Sequence, residues 1–300
     1  MVFLNIQNSL SLQESKTKII HNGMNAPISV CWDITHKCNY HCQFCYRLSK
    51  GNDLNYEQSK IILQKIILSG VKKITFTGGD PLLVDFLPEL ILNAKNAGII
   101  TSIDTNGSLL ENLLSKISNI VDWVTLPIDG STESIQEKMT RSHGHLNRVY
   151  LLVKELHKLG IKVKINTLVS EVNKSDIGNI AMIVNSLGVE RWKLFQFLPV
   201  QGEAIKSRKI FQISDNDFNN IIDKTLSDHK SEKNCKVTVA DRKYFSGNYF
   251  HINHDGSVRV YHNNRNIIVG NVLESNISSI WHNPYFDHIK HFDYRSWLLN

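Results

Sequence analysis

Three cysteines in the run CNYHCQFCY are spaced as a metal centre needs them: Cys38, Cys42 and Cys45 form C-x3-C-x2-C. Thiolates this close on one loop can wrap a single iron-sulfur cluster. Three of them hold three irons of a 4Fe-4S cube and leave the fourth open to an external ligand, much as catalytic zinc keeps one position open. A zinc knuckle completed by His36, His41 or Cys31 is the competing use of the same thiols. Five cysteines occur in all. Cys31 alternates within a strand and reads as a small core residue, and Cys235 stands alone. Clustered thiols in a long chain are no disulfide framework, and they imply a reducing compartment.

Such a loop needs a scaffold. From about residue 27, short β-branched runs alternate with helical periodicity, which predicts strand-helix units around a parallel sheet. Strands are expected at 27–35, 72–77, 100–105, 122–129, 162–169 and 191–198, with helices at 55–70, 82–98, 108–118, 146–159 and 175–188. Six units are too few to close an eight-stranded barrel. The fold class is therefore α/β: a partial (β/α)6 TIM-like barrel with a C-terminal α+β extension. The expected division is an N-terminal extension at 1–26, the barrel at 27–212, and an extension at 213–300 covering the substrate site. That last part contains a hairpin, NYFHIN-HDG-SVRVY. Parallel sheets bind ligands in the loops after their strands, and the cysteines lie in such a loop.

The 300 residues are 42% hydrophobic and 21% charged, which excludes a disordered chain. The net charge of +6 suits a phosphorylated small molecule or a nucleic acid. Neither a signal peptide nor a run of about 18 apolar residues is found, so the expected location is cytoplasmic, with no membrane partner.

The cysteine triplet resembles that of the radical S-adenosylmethionine superfamily, in which the open iron chelates S-adenosylmethionine. Phe44 and Tyr46 fit that family's aromatic positions beside the cluster. Thr77, Gly78, Gly79 and Asp80 fall where the family has its GGE motif, with Asp80 in place of the usual Glu. The resemblance further assigns Asn106, Asp129, Ser131 and Arg141 to the cofactor, although Asn, Asp and Ser beside glycine also serve turns. With only Cys235 downstream, a single cluster is expected.

Period-two geometry puts Lys164 with Asn166, and Arg191 with Lys193, on shared strand faces. Turned inward, these cations would need an anion, and phosphate oxygens suit them; turned outward, they are solvated strand ends. The segments KIN and RWK-x-FQ, followed by Gly202-Glu203, resemble the viperin family. Departures are Asp80, Phe197 where a cysteine is expected, and Arg47 in place of a histidine. The resemblance implies abstraction of hydrogen from the ribose 4′ carbon of a nucleoside triphosphate and loss of water, giving a 3′-deoxy-3′,4′-didehydro nucleotide, a chain terminator in antiviral defence. It implies substrate contacts at Lys50, Lys164, Asn166, Arg191, Lys193 and Arg259, and a role for Tyr249 as substrate contact or hydrogen donor. It also implies a flavodoxin- or ferredoxin-type electron donor; the expected enzyme is a monomer that does not bind nucleic acid. Alternatives are another single-cluster enzyme acting on a peptide, a molybdopterin precursor or a deazapurine, or a zinc-binding RNA-interaction module.

Overall fold

Strand β1 (Ser29–Thr35) alternates, with Val30 and Trp32 buried in the main core and Cys31 and Asp33 on the other face. It is an interior strand of the architecture described by a computed structural model covering residues 25–47, 50–228 and 235–298. All six expected strands form: β1, β2 (Lys73–Gly78), β3 (Ile100–Asp104), β4 (Trp123–Pro127), β5 (Lys162–Val169) and β6 (Arg191–Gln196). Each pairs in parallel with the next. Helices α1 (Tyr56–Leu68), α2 (Leu87–Asn96), α3 (Leu110–Ile117), α4 (Glu133–Lys138), α5 (His145–Lys158) and α6 (Ile177–Leu187) connect them. Helix α1 starts where its sequence says it should: Asn55 and Gln58 form a reciprocal capping box, satisfying two end N–H groups.

The chain beyond residue 212 does not stand apart from the sheet. After α7 (Glu203–Lys206), α8 (Arg208–Phe211) and α9 (Asp215–Asp228), strand β7 (Lys236–Ala240) adds in parallel to β6. Following α10 (Arg242–Phe245), strand β8 (Phe250–Ile252) adds in parallel to β1 at the opposite end of the row. The expected hairpin then joins β8 to β9 (Ser257–His262), and β10 (Arg265–Asn271) follows antiparallel. The sheet runs β10-β9-β8-β1-β2-β3-β4-β5-β6-β7. Helices α11 (Ile277–Trp281) and α12 (His288–Arg295) and a 3-10 turn at Ser296–Leu298 end the described chain.

Two apolar clusters divide the labour. The main one lies between the sheet and its helices, with Trp32, Ile62, Ile66, Phe76, Leu90 and Trp192 among its buried members. A smaller one, Met139, Leu168, Phe197, Ala204 and Phe211, packs under Phe44 of the cysteine loop. Among the described residues, no helix is long and apolar enough to cross a membrane.

Candidate active site

The cysteine loop leaves the end of β1 and is clamped from two sides. Gly79 N–H donates to Thr35 O and Asp80 N–H to Lys37 O, both at 2.8 Å. This contact is close enough that a Cβ on Gly79 would lie 1.8 Å from Lys37 O. From the other side, Ala204 N–H donates to Cys45 O at 3.0 Å, while a Cβ on Gly202 would lie 2.6 Å from Arg47 O at φ +63°. Both glycines are therefore demanded by backbone approach. Phe44 packs edge to face on Phe211, and Phe211 packs at a tilt on Phe197, beneath the loop with 5.8 Å between successive ring centroids. Phe197, where the resemblance implies a cysteine, serves as an apolar prop. Arg47 donates to His36 O and ties the loop back to β1.

Donors converge on the sulfurs. Tyr40 N–H reaches Cys38 Sγ at 3.4 Å, Asn106 Nδ2 reaches it at 3.9 Å, and Arg141 Nη1 reaches Cys42 Sγ at 3.6 Å. Burial pushes the Cys38 and Cys45 thiols above their ordinary values, so metal loading must displace protons. A cavity of about 330 Å³, lined by His41, Cys42, Gln43, Cys45, Arg47 and Glu203, opens beside them.

The donor set fits a cluster better than a single ion. Thiolates on one tetrahedral zinc stand about 3.8 Å apart, from Zn–S bonds of about 2.3 Å. Among the described residues, the one trio of potential ligands gathered within 4.8 Å is His36, Asp53 and His254, which holds no cysteine. His36 is engaged with Asp53 at 2.6 Å. Cys31 lies on the inner face of β1, and of the three candidate completing ligands His41 lines the cavity with Cys42 and Cys45.

The remaining cofactor candidates gather in loops at the same end, tied largely to one another. The Asp80 carboxylate is fully buried and accepts from Leu82 N–H, Thr105 Oγ1 and Asn106 N–H, at 2.8 to 3.0 Å. Burial raises its carboxyl, and these bonds oppose the shift. Asp80 thus positions Asn106, whose amide also donates to Asn39 at 2.8 Å. Asp129 holds Arg141 through Nε at 2.8 Å and Nη2 at 2.6 Å, and Arg141 lies 4.9 Å from the Phe44 ring centre. Ser131 donates from its hydroxyl and its N–H to the Asp176 carboxylate at 2.6 Å, an engagement the sequence reading did not foresee.

Below this end lies the polar inner face. Lys164 is in register with Arg191 and Asn166 with Lys193, so the cations expected on β5 and β6 stand side by side. Lys162, by contrast, is exposed at the strand entrance. Lys193 Nζ is surrounded by the rings of Tyr244, Tyr249 and Phe245 at 5.0, 5.1 and 5.5 Å, and donates to Tyr249 Oη at 2.5 Å. Burial, with help from Lys164, lowers the Lys193 ammonium to about 8. Burial and Tyr244 raise the Tyr249 phenol well above its ordinary value, so Tyr249 keeps its proton. Lys73, Lys162 and Arg191 flank Trp123 at 5.4, 5.5 and 5.0 Å, closing the far end of the interior.

Two expectations need correction. Cys31 is half-buried on the inner face of β1, outside the apolar cluster that takes Val30 and Trp32, and strand parity alone could have shown this. Arg259 is not free to meet a substrate. Only 5% exposed, it is bound to Asp33 at 2.8 Å, His251 at 2.7 Å and Asn253. Lys50 stands exposed in the loop before α1, and Tyr46 is 40% exposed. The sequence reading missed Lys73, Asp104, Tyr244, Phe245 and Arg295. For Lys73 and Asp104, parity with Thr77 and Asn106 was the available signal.

The family model described as the radical SAM superfamily matches residues 32–182. A relative named S-adenosylmethionine-dependent nucleotide dehydratase, from Flammeovirga pacifica, is 34% identical over 68% of this chain and 74% of its own length. One of the same name from Lacinutrix mariniflava is 33% identical over 67% of this chain; that match spans less than half, 45%, of the relative. The Danio rerio relative, S-adenosylmethionine-dependent nucleotide dehydratase RSAD2, is 28% identical over 78% of this chain and 68% of its own. In fold, the chain resembles Streptococcus suis SuiB bound to S-adenosylmethionine, with a TM-score of 0.69, 17% identity, and coverage of 97% of this chain and 73% of that one.

Proposed function

Since the chain belongs to the radical SAM superfamily and, within it, to the family of S-adenosylmethionine-dependent nucleotide dehydratases, we propose that it dehydrates a nucleoside triphosphate to the 3′-deoxy-3′,4′-didehydro nucleotide. The observation that carries this reading is the register of Lys164 with Arg191 and of Asn166 with Lys193, a block of cations and an amide beneath the cysteine loop. Charge-assisted bonds to phosphate are the natural use of half-buried cations that face inward.

Cys38, Cys42 and Cys45 would hold the 4Fe-4S cluster. Phe44, Tyr46, Asn106, Asp129, Arg141 and the 77–80 turn would frame S-adenosylmethionine, with Asp80 and Ser131 acting through the loops they tie. When bound, cluster and cofactor supply one-electron cleavage to a 5′-deoxyadenosyl radical. The chain's own task is position: the lysine row anchors the phosphates so that the ribose 4′ carbon faces the cysteine end. The nucleotide loses one hydrogen atom at C4′. Its 3′ hydroxyl then departs as water on gaining one proton and one electron, the electron coming from a flavodoxin- or ferredoxin-type reductant. Tyr249, which retains its proton and touches Lys193, is our candidate for the donor of that proton. We also propose the division at about residue 212, with the later chain covering the substrate: Tyr244, Phe245, Tyr249 and Arg295, which surround Lys193 or Tyr249, all belong to it. Cytoplasmic action in antiviral defence completes the proposal.

The test is anaerobic reconstitution with iron and sulfide, then dithionite, S-adenosylmethionine and each of CTP, UTP, GTP and ATP. We expect 5′-deoxyadenosine stimulated by one of them, with a nucleotide product lighter by one water. Release of 5′-deoxyadenosine that no nucleotide stimulates would overturn the reading.

A further inference from the structure

Three buried acceptors on the inner face have no hydrogen-bond partner among the described residues: Asp104 Oδ1, Thr125 Oγ1 and Asn166 Oδ1. Asp104 and Thr125 are register partners on β3 and β4, and Thr125 is in turn the register partner of Lys164. They therefore form one row across three strands, running from an acid through a hydroxyl to the cations. Asn166 stands one pleat further along β5, beside Lys193.

Buried polar atoms without partners are rare and call for an explanation. A bonded ion pair does not supply one for Asp104, whose charge acts on the Lys73 ammonium without a hydrogen bond to it. It makes no ion pair among the described residues, and the nearby Lys73 ammonium instead faces the Trp123 ring at 5.4 Å. The neighbouring inward acid, Asp33, is committed to Arg259 and His251. A carboxylate accepts and does not donate. It would repel phosphate, so what faces it must be an uncharged part of the ligand that bears an O–H or N–H.

Position selects among such groups. Strands lie about 4.8 Å apart, so β3 and β5 are about 10 Å apart, a gap that a ribose and its first phosphate bridge. Asn106, two residues beyond Asp104 on the same strand face, belongs to the cysteine end. The sugar must therefore sit between that end and the lysine row if its 4′ carbon is to react. The 3′ hydroxyl has to gain a proton to leave, which a fixed carboxylate acceptor opposes. The hydroxyl that stays is the 2′ hydroxyl.

We propose that Asp104, with Thr125 beside it, accepts the ribose 2′ hydroxyl and makes the site selective for ribonucleotides over 2′-deoxynucleotides. This rests on the nucleotide reading above and adds the sugar to it. Deleting the ligand's 2′ oxygen and deleting the carboxylate then remove the same bond, so the two losses must not add.

The experiment measures dissociation constants and kcat/KM of the anaerobic holoenzyme for CTP, UTP, GTP and ATP, each beside its 2′-deoxy counterpart. Wild type should prefer the ribose form by about 30-fold, as a hydrogen bond to a charged group allows. Asp104→Ala should reduce that ratio to near one for every base that binds, and Asp104→Asn, of equal volume, should leave an intermediate ratio. Thr125→Val should reduce it by about threefold. An unchanged ratio in both Asp104 variants would overturn the assignment. So would a loss confined to the bases that carry an exocyclic amine, which would place Asp104 on the base. If wild type binds no nucleotide, the functional reading itself fails; if it binds and dehydrates nucleotides with no preference for the sugar, only this inference fails.

Discussion

The loops at the cysteine end and the interior face beneath them treat their polar groups in opposite ways. At the cysteine end the groups satisfy one another: Asp80 holds Thr105 and Asn106, Asp129 holds Arg141, and Asp176 holds Ser131. Deeper in the interior, Asp104, Thr125 and Asn166 keep orphan acceptors, and burial depresses the Lys73 and Lys193 ammoniums. The first arrangement is complete without a ligand and holds its loops rigid. The second is a set of unmet demands, which an anion and a hydroxyl-bearing sugar would satisfy. Polar groups that satisfy one another hold the loops around the cysteines, and electrostatic tension is kept on the interior face.

Breaking the cysteine end should have the largest effects. Cys42→Ala should abolish cluster assembly and turnover together, read as loss of the brown absorbance and of 5′-deoxyadenosine formation. Gly79→Ala should come next, because its Cβ would meet a carbonyl 1.8 Å away. A destabilisation of about 3 kcal/mol is expected in denaturant titration, together with poor iron incorporation.

The interior should respond in the opposite sense. Lys193→Met removes a half-buried ammonium, so stability should hold or rise by about 1 kcal/mol while nucleotide-dependent turnover falls about 100-fold, with iron content unchanged. A variant that lost iron as well would erase the distinction between the two ends.

The smallest effect is a pH dependence. Lys73 and Lys193 both have values lowered to about 8, so their charge is complete below that pH and is lost as pH rises through it. Nucleotide affinity, measured by calorimetry, should therefore decline above about pH 8, and Lys193→Arg should blunt the decline. The ligand-free fold should gain stability over the same interval, because the folded state releases these protons first.

Much of this was legible in the sequence where the signal was local. Strand parity placed Lys164 beside Asn166 and Arg191 beside Lys193, and the cysteine spacing identified the loop. What escaped depends on partners far away in the chain. Arg259 was placed among the substrate contacts by the resemblance, and its counterion Asp33, 226 residues away, was out of reach of any local pattern. Tyr244, Phe245 and Arg295 converge on Lys193 and Tyr249 only once α10 and α12 are in place, and no local pattern announces that meeting. The need for glycine at Gly202 was not visible, because the carbonyl it must clear belongs to Arg47.

The place of β1 in the sheet bears on how the protein is made. One neighbour, β2, follows it closely, but the other, β8, is synthesised far later: His251 bonds Asp33 across 218 residues. At ribosomal rates of about 5 to 20 residues per second, one edge of the strand that leads into the cysteine loop stays unpaired for roughly 10 to 40 seconds. That interval leaves an open β-edge exposed to association with other nascent chains, and it also leaves the thiols reachable for iron delivery before the last strands close the row.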